Sequence, residues 1–211
     1  MPPKPTYMNH QPITLAITGA SGVQYGLRLL ECLVASNYPV YVLISSAAQV
    51  VIATETDIKL SPRPDEAQRQ LTELYHAAPG QISVFGKEQW MAPIASGSNT
   101  AQAMVVCPCS SATLSAIAHG SSNDLIERAA DVMLKEQRQL ILVNREMPLS
   151  AIHLDNMAKL ARIGVTIMPA CPGFYHKPTT VNEIVDFVVA RILDHLKVEH
   201  SLLPRWGENR N

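Results

Sequence analysis

Short apolar runs alternate along the chain with longer stretches in which apolar residues recur at helical spacing. The runs Ile13–Thr18, Val40–Ser45, Ala103–Cys107, Leu140–Asn144 and Val165–Ala170 are rich in Val, Ile and Leu, the composition of strands buried on both faces of a parallel sheet. Between them, Val23–Ser36, Ala47–Thr54, Ala112–His119, Leu125–Lys135 and Leu154–Ile163 read as amphipathic helices. A last helix is expected over Val181–Leu196, its apolar stripe formed by Ile184, Val185, Val188, Val189 and Ile192. Thr180 and Glu183 stand at the spacing of a capping box at its start. The polar stretch Lys59–Ala78, with prolines at 62 and 64, holds one further short helix. Alternation of this kind predicts the α/β class: a three-layer αβα, doubly wound fold around a mainly parallel sheet. No linker divides residues 13–211, which are expected to form one domain ending in a docking tail, Leu202–Trp206. Residues 1–12, rich in proline and polar groups, read as a flexible extension.

Composition narrows the classes. Of 211 residues, 47% are hydrophobic and 17% charged, which suits a packed core rather than disorder. A net charge of −1 argues against a nucleic-acid or anionic-membrane surface, though a local basic pocket for a small phosphate remains compatible. No apolar run reaches the roughly 18 residues of a membrane span, and residues 1–12 lack the apolar stretch of a signal peptide. The four cysteines, at 32, 107, 109 and 171, lie within apolar runs with no second Cys or His pair to complete a zinc set. They are expected to be reduced thiols of a cytoplasmic protein, without a metal.

In doubly wound sheets ligands bind beyond the carboxyl ends of the strands. The first such position holds Thr18-Gly19-Ala20-Ser21-Gly22. Glycines permit a tight turn there, and free amides at a helix start favour an anion; an ordinary strand–helix turn fits the same residues. The segment is neither G-x-G-x-x-G nor a Walker A loop. None of the six tyrosines is followed by lysine at Tyr-x-x-x-Lys spacing, which sets aside a short-chain dehydrogenase. Ser45 and Ser46 offer hydroxyls to a ribityl chain or phosphate, or a plain helix cap. Ser110, Ser111, Ala112 and Thr113 follow Cys107-Pro108-Cys109 and form a second anion-binding candidate. Two such loops suggest a nucleotide-like ligand across the edge of the sheet.

Arg145 and Glu146 directly follow a strand. The first can fork onto a phosphate and the second exchange a proton, or the pair caps the next helix. Arg128 and Lys135 are seven apart on one helical face, as a phosphate clamp or a solvated stripe. The turn Cys171-Pro172-Gly173-Phe174-Tyr175-His176 presents Tyr175, and Arg191 on the last helix faces a pocket or solvent. Trp90 and Trp206, the only tryptophans, belong to a core or offer a π-face to a cation. Glu55, near a helix end, reads as solvated.

Taken in order, Thr18–Gly22, Cys107–Ser110, Leu125–Val132, Leu134–Glu136, Arg145–Pro148, Pro172–Tyr175 and Leu203–Trp206 resemble the UbiX-type flavin prenyltransferases from about Ile13 to Gly207. Each motif alone is weak, but their order and joint presence are specific. Asn144, where a proline is common, and the form of Ser110–Thr113 depart from the pattern without removing a charged or proton-transferring group.

The resemblance implies a flavodoxin-like Rossmann fold, a homododecamer and metal-independent chemistry. Dimethylallyl phosphate would donate its five-carbon unit to N5 and C6 of reduced FMN. The prenylated FMN would serve UbiD-type decarboxylases, including those of ubiquinone biosynthesis. Carried over by position, Gly19, Ala20, Ser21, Ser45, Ser110–Thr113 and Arg145 would hold FMN, with Ser21 near N5. Lys135, Tyr175 and Arg191 would grip the donor phosphate, with Arg128 nearby. Glu146 would exchange a proton at the leaving phosphate, Glu55 would assist proton removal during ring closure, and Trp90 and Trp206 would wall the prenyl pocket. Some of these residues would come from neighbouring subunits. Direct decarboxylation of a carboxylated substrate and non-catalytic FMN carriage are the competing readings.

Overall fold

A computed structural model describes residues 10–204. Six strands form one sheet: β1 (Ile13–Ile17), β2 (Val40–Ile44), β3 (Ile82–Phe85), β4 (Ala103–Cys109), β5 (Gln139–Asn144) and β6 (Thr166–Ile167). Their order is β3-β2-β1-β4-β5-β6, and every neighbouring pair is parallel. The helices are α1 (Val23–Ala35), α2 (Ser46–Glu55), α3 (Pro64–Leu74), α4 (Ser111–Ala118), α5 (Leu125–Lys135), α6 (Ala151–Arg162) and α7 (Val181–Leu196).

Alternation along each strand divides the core into two. Ile13, Leu15 and Ile17 of β1 join Val105 of β4 and Ile141 of β5 on the face covered by α1, α2, α3 and α7. Ala16, Met104, Val106, Leu140 and Leu142 point the other way, into a second core closed by α4, α5 and α6. Burying one such Ile or Leu contributes about 1.5–3 kcal/mol, so the two apolar faces hold the three layers together. The chain winds one way from β1 to β3 and the other way from β4 to β6. This places the topological switch, and the crevice it opens, at the carboxyl ends of β1 and β4.

Several boundaries differ from expectation for identifiable reasons. β3 was not anticipated: four residues, Ile-Ser-Val-Phe, are too short to show a period. β4 runs on to Cys109, and its pairing with β5 shifts register between Val106 and Cys109, around Pro108. The expected strand Val165–Ala170 is regular only at Thr166–Ile167. Beyond it, Met168 and Ala170 still donate their N–H groups to the carbonyls of Leu142 and Asn144, while Pro169 between them has no N–H. α6 starts at Ala151 because Ser150 and His153 form a capping box with histidine where Glu or Gln is usual. Among the described residues, no helix is long and apolar enough to cross a membrane.

Candidate active site

Three loops meet at the carboxyl edge of β1, β4 and β5. The first tie is Thr18, only 1% exposed. Its Oγ1 donates to the carbonyl of Pro108 at 2.8 Å and accepts from the N–H of Ser110 at 2.8 Å, locking the loop after β1 to the loop after β4. Gly19 lies so close to α2 that a Cβ there would stand 2.4 Å from Cβ of Ala47. Gly22 takes a φ of 98°, a conformation glycine adopts without steric cost, and the chain then enters α1.

The amino end of α1 is filled from within the protein. Glu55, the last residue of α2, accepts from the N–H of Gly22 at 2.8 Å and of Val23 at 3.4 Å. Burial pushes its carboxyl up. The hydrogen bonds from the Ser21 side chain and these two amides, with the Arg145 charge, outweigh that and hold it below the usual range. The expectation of an anion at this helix start is therefore met by the chain's own carboxylate, not left to a phosphate, and Glu55 is not merely solvated.

Two other helix starts carry hydroxyls. Ser45 caps α2, accepting from the N–H of Ala48 at 3.1 Å. Ser110 caps α4, accepting from the N–H of Thr113 at 3.3 Å and pairing with Thr113 Oγ1 at 3.0 Å. Arg145 and Glu146 join these loops to the end of β5. Arg145 Nε donates to the Ser21 carbonyl at 3.1 Å, and Ser111 Oγ donates to Glu146 Oε2 at 2.8 Å. The alternative of a cap for α6 is removed, since Ser150 and His153 cap that helix. The Glu146 carboxyl is held below its usual range, first by the Ser111 hydroxyl and then by the Met147 N–H, Arg145 and His153. Arg145–Ser21–Glu55, Ser111–Glu146 and Ser110–Thr113 are thus three hydrogen-bonded sets, linked by the adjacency of Ser110 to Ser111 and of Arg145 to Glu146. Their hydroxyls, helix-start amides and guanidinium suit the ribityl phosphate of FMN.

The remaining expected residues fall elsewhere. Tyr175 and Arg191 line a cleft of about 590 Å³ with His176, Phe187, Asp194 and His200. Arg128 Nε donates to the Ala95 carbonyl at 3.0 Å, and its guanidinium pairs with Asp131 at 3.0 Å, fastening α5 to the 3-10 turn Pro93–Ala95. Lys135 pairs with Glu136 at the end of α5, just before β5 begins, and so lies towards the amino edge of the sheet. It is not in the Tyr175–Arg191 cleft of its own chain. Trp90 is half-exposed beside the fully exposed Met91. Trp206 lies outside the described residues. Sequence reasoning missed the loop tie made by Thr18 and the contacts that Asp194 and His200 make in the cleft. A hydroxyl ending an otherwise apolar strand was the available sign for Thr18; nothing local marked the other two.

A doubly wound sheet with hydroxyl-rich helix starts at its switch point defines a nucleotide- or flavin-binding α/β protein. The chain matches the Flavoprotein family over residues 2–193. It is 62% identical to the flavin prenyltransferase UbiX of Pseudomonas aeruginosa over 196 residues, 93% of this chain and 94% of that protein. Its fold superposes with a TM-score of 0.84 on AnUbiX in complex with FMN and dimethylallyl pyrophosphate, at 37% identity, covering 95% of this chain and all of that one. A dodecameric FMN-dependent UbiX-like decarboxylase from Escherichia coli O157:H7 matches at a TM-score of 0.82 and 40% identity, over 92% of this chain and 98% of that one. The chain belongs to the flavoprotein family and, within it, to the UbiX flavin prenyltransferases.

Proposed function

We propose that this protein transfers the dimethylallyl group of dimethylallyl phosphate to N5 and C6 of reduced FMN, releasing phosphate and giving prenylated FMN for a UbiD-type decarboxylase. The observation that carries the reading most directly is the pair of hydrogen bonds from Arg145 to Ser21 and from Ser111 to Glu146. They place a fixed cation and a carboxylate between the two loops suited to the flavin.

Reduced FMN supplies the nucleophilic N5 and C6 positions. The chain's residues do the rest. Gly19, Ala20, Ser21, Ser45, Ser110, Ser111, Ala112, Thr113 and Arg145 bind and orient FMN. Tyr175 and Arg191 hold the donor phosphate and stabilise charge as the allylic C–O bond breaks. Glu146 is ionised at neutral pH in the free protein, so it meets the donor as a proton acceptor and takes the proton of the bound phosphate monoanion. A donor phosphate beside it raises its carboxyl through like-charge repulsion, the condition under which it returns that proton to the leaving phosphate. Glu55 takes the proton lost on ring closure. Trp90 and Trp206 exclude water from the allylic cation and face it with π density. Lys135 and Arg128 complete the phosphate grip from a neighbouring subunit of a homododecamer, in keeping with the place of Lys135 at the end of α5. Residues 13–211 act as one catalytic domain in the cytoplasm.

The test is an anaerobic incubation of the protein with reduced FMN and dimethylallyl monophosphate, without added metal, followed by mass spectrometry of the extracted flavin. A flavin heavier by one C5H8 unit is expected. Unmodified FMN, shown to be bound and reduced, would overturn the reading in favour of a decarboxylase or carrier.

A further inference from the structure

The cleft beside α7 contains a chain of three charged or titratable side chains. Arg191 Nη1 donates to Asp194 Oδ2 at 2.6 Å, and the other carboxylate oxygen, Oδ1, faces Nε2 of His200 at 3.2 Å. Arg191 and Asp194 are one helical turn apart on α7, whereas His200 lies in the segment that folds back after the helix. Its side chain is 13% exposed, and its Nδ1 is buried without a hydrogen-bond partner among the described residues. All three line the cleft with Tyr175 and His176, and Leu203 and Pro204 close one side.

An exposed Arg–Asp pair at this spacing contributes little to stability. Its place in the cleft gives it a different consequence. A free arginine side chain populates many rotamers, and ordering it for a ligand weakens binding. Asp194 engages Nη1 alone, and no hydrogen bond among the described residues engages Nε or Nη2. The guanidinium is therefore held at one corner with the rest of its donor fork open. His200 meets the other oxygen of the carboxylate, so Asp194 is held from both sides and cannot swing across the open face of the guanidinium.

We propose that Asp194 and His200 are positioning residues for Arg191, and that together they set the affinity of this cleft for a phosphate monoester. The proposal rests on the donor-phosphate role of Arg191 given above. Asp194→Ala, His200→Leu and His200→Gln are prepared in the full chain and loaded with reduced FMN. Three quantities are measured: FMN affinity, the KM and kcat for dimethylallyl monophosphate, and the affinity for inorganic phosphate without turnover. Asp194→Ala is expected to raise the donor KM and weaken phosphate binding about tenfold, a typical scale for losing a charge-assisted contact. FMN affinity and kcat change far less. His200→Leu moves the same two quantities in the same direction, and His200→Gln, which keeps a donor for Asp194, restores them.

Phosphate affinity that is unchanged or tighter in Asp194→Ala overturns the proposal, because Asp194 would then be a bystander or a competitor. A parallel fall in kcat, FMN affinity and Tm that glutamine at 200 does not restore also overturns it, as the mark of a purely structural role. If wild-type protein binds phosphate more tightly than Asp194→Ala yet forms no prenylated flavin, positioning stands and the prenyltransferase reading fails.

Discussion

Ser111 and Glu146, on loops that follow different strands, are joined by a hydrogen bond of 2.8 Å from Oγ to Oε2. This hydroxyl is the foremost cause of the lowered Glu146 carboxyl. Ser111→Ala is therefore expected to let the carboxyl rise towards its usual value of ~4.3. The ionised form persists to lower pH in the wild type, so the acid limb of kcat/KM should move to higher pH in the variant. A pH profile of prenylated-flavin formation checks the direction; a limb that stays in place or moves to lower pH would separate Glu146 from the titration.

Glu146→Gln keeps the shape and removes the exchangeable proton. Flavin fluorescence is expected to report wild-type FMN binding while turnover falls by about 10²- to 10⁴-fold, the range for losing a general acid–base. Unchanged turnover would remove Glu146 from the mechanism.

Glu55 does structural work that its proposed catalytic role does not require. Gly22, the residue before α1, has no side chain to cap the helix, and Glu55 supplies the missing acceptor from the end of α2. Its folded carboxyl lies below the unfolded value. That contribution is present at pH above the unfolded value of ~4.3 and is lost as pH falls through the lower folded one. Glu55→Gln should destabilise the protein by about 1 kcal/mol at neutral pH, the usual scale of a cap. Thermal unfolding at pH 7 and again in mild acid should show the gap between wild type and variant narrowing in acid.

The sheet was legible because period and composition agree where strands are buried on both faces, as in β1, one residue shorter than expected, and β5, one residue longer. β3 was not, because four residues cannot establish a period, and β6 was expected but is regular over only two residues of the run that marked it. Loop chemistry was legible as residue types: Arg145 and Glu146 were marked by their position after an apolar run. The partners that give them geometry were not. Glu55 finds the α1 amides across more than thirty positions of chain, as the separations of 33 and 32 residues show, and such contacts leave no local trace. The same holds for Asp194 and His200, which gain meaning only once the chain after α7 turns back.

Packing makes a separate prediction at Gly26. This residue lies within α1, where alanine normally gains about 1 kcal/mol of helix propensity. A Cβ at Gly26 would stand 2.2 Å from the backbone carbonyl oxygen of Cys107 in β4. Backbone in a central strand cannot step aside as a flexible side chain can. Overpacking costs about 1–3 kcal/mol and sometimes more, so the clash outweighs the propensity gain. Gly26→Ala is expected to lower the denaturation midpoint despite its helix-favouring residue, and a higher midpoint would mean that α1 can lift from β4.

Arg145 is where the two candidate loops and the proposed flavin phosphate place competing demands on one side chain. Its Nε is committed to the Ser21 carbonyl at 3.1 Å, which leaves the terminal nitrogens for an anion. A guanidinium meets both demands because its donors are fixed in a planar fork; an ammonium is a point charge that meets one at a time. Arg145→Lys should therefore weaken FMN binding by about tenfold although the charge is kept, and Arg145→Ala by about a hundredfold. Titration of flavin fluorescence gives both numbers. Wild-type affinity in the lysine variant would show that charge alone is needed there, and that the hydrogen bond to Ser21 serves only to fasten the loops.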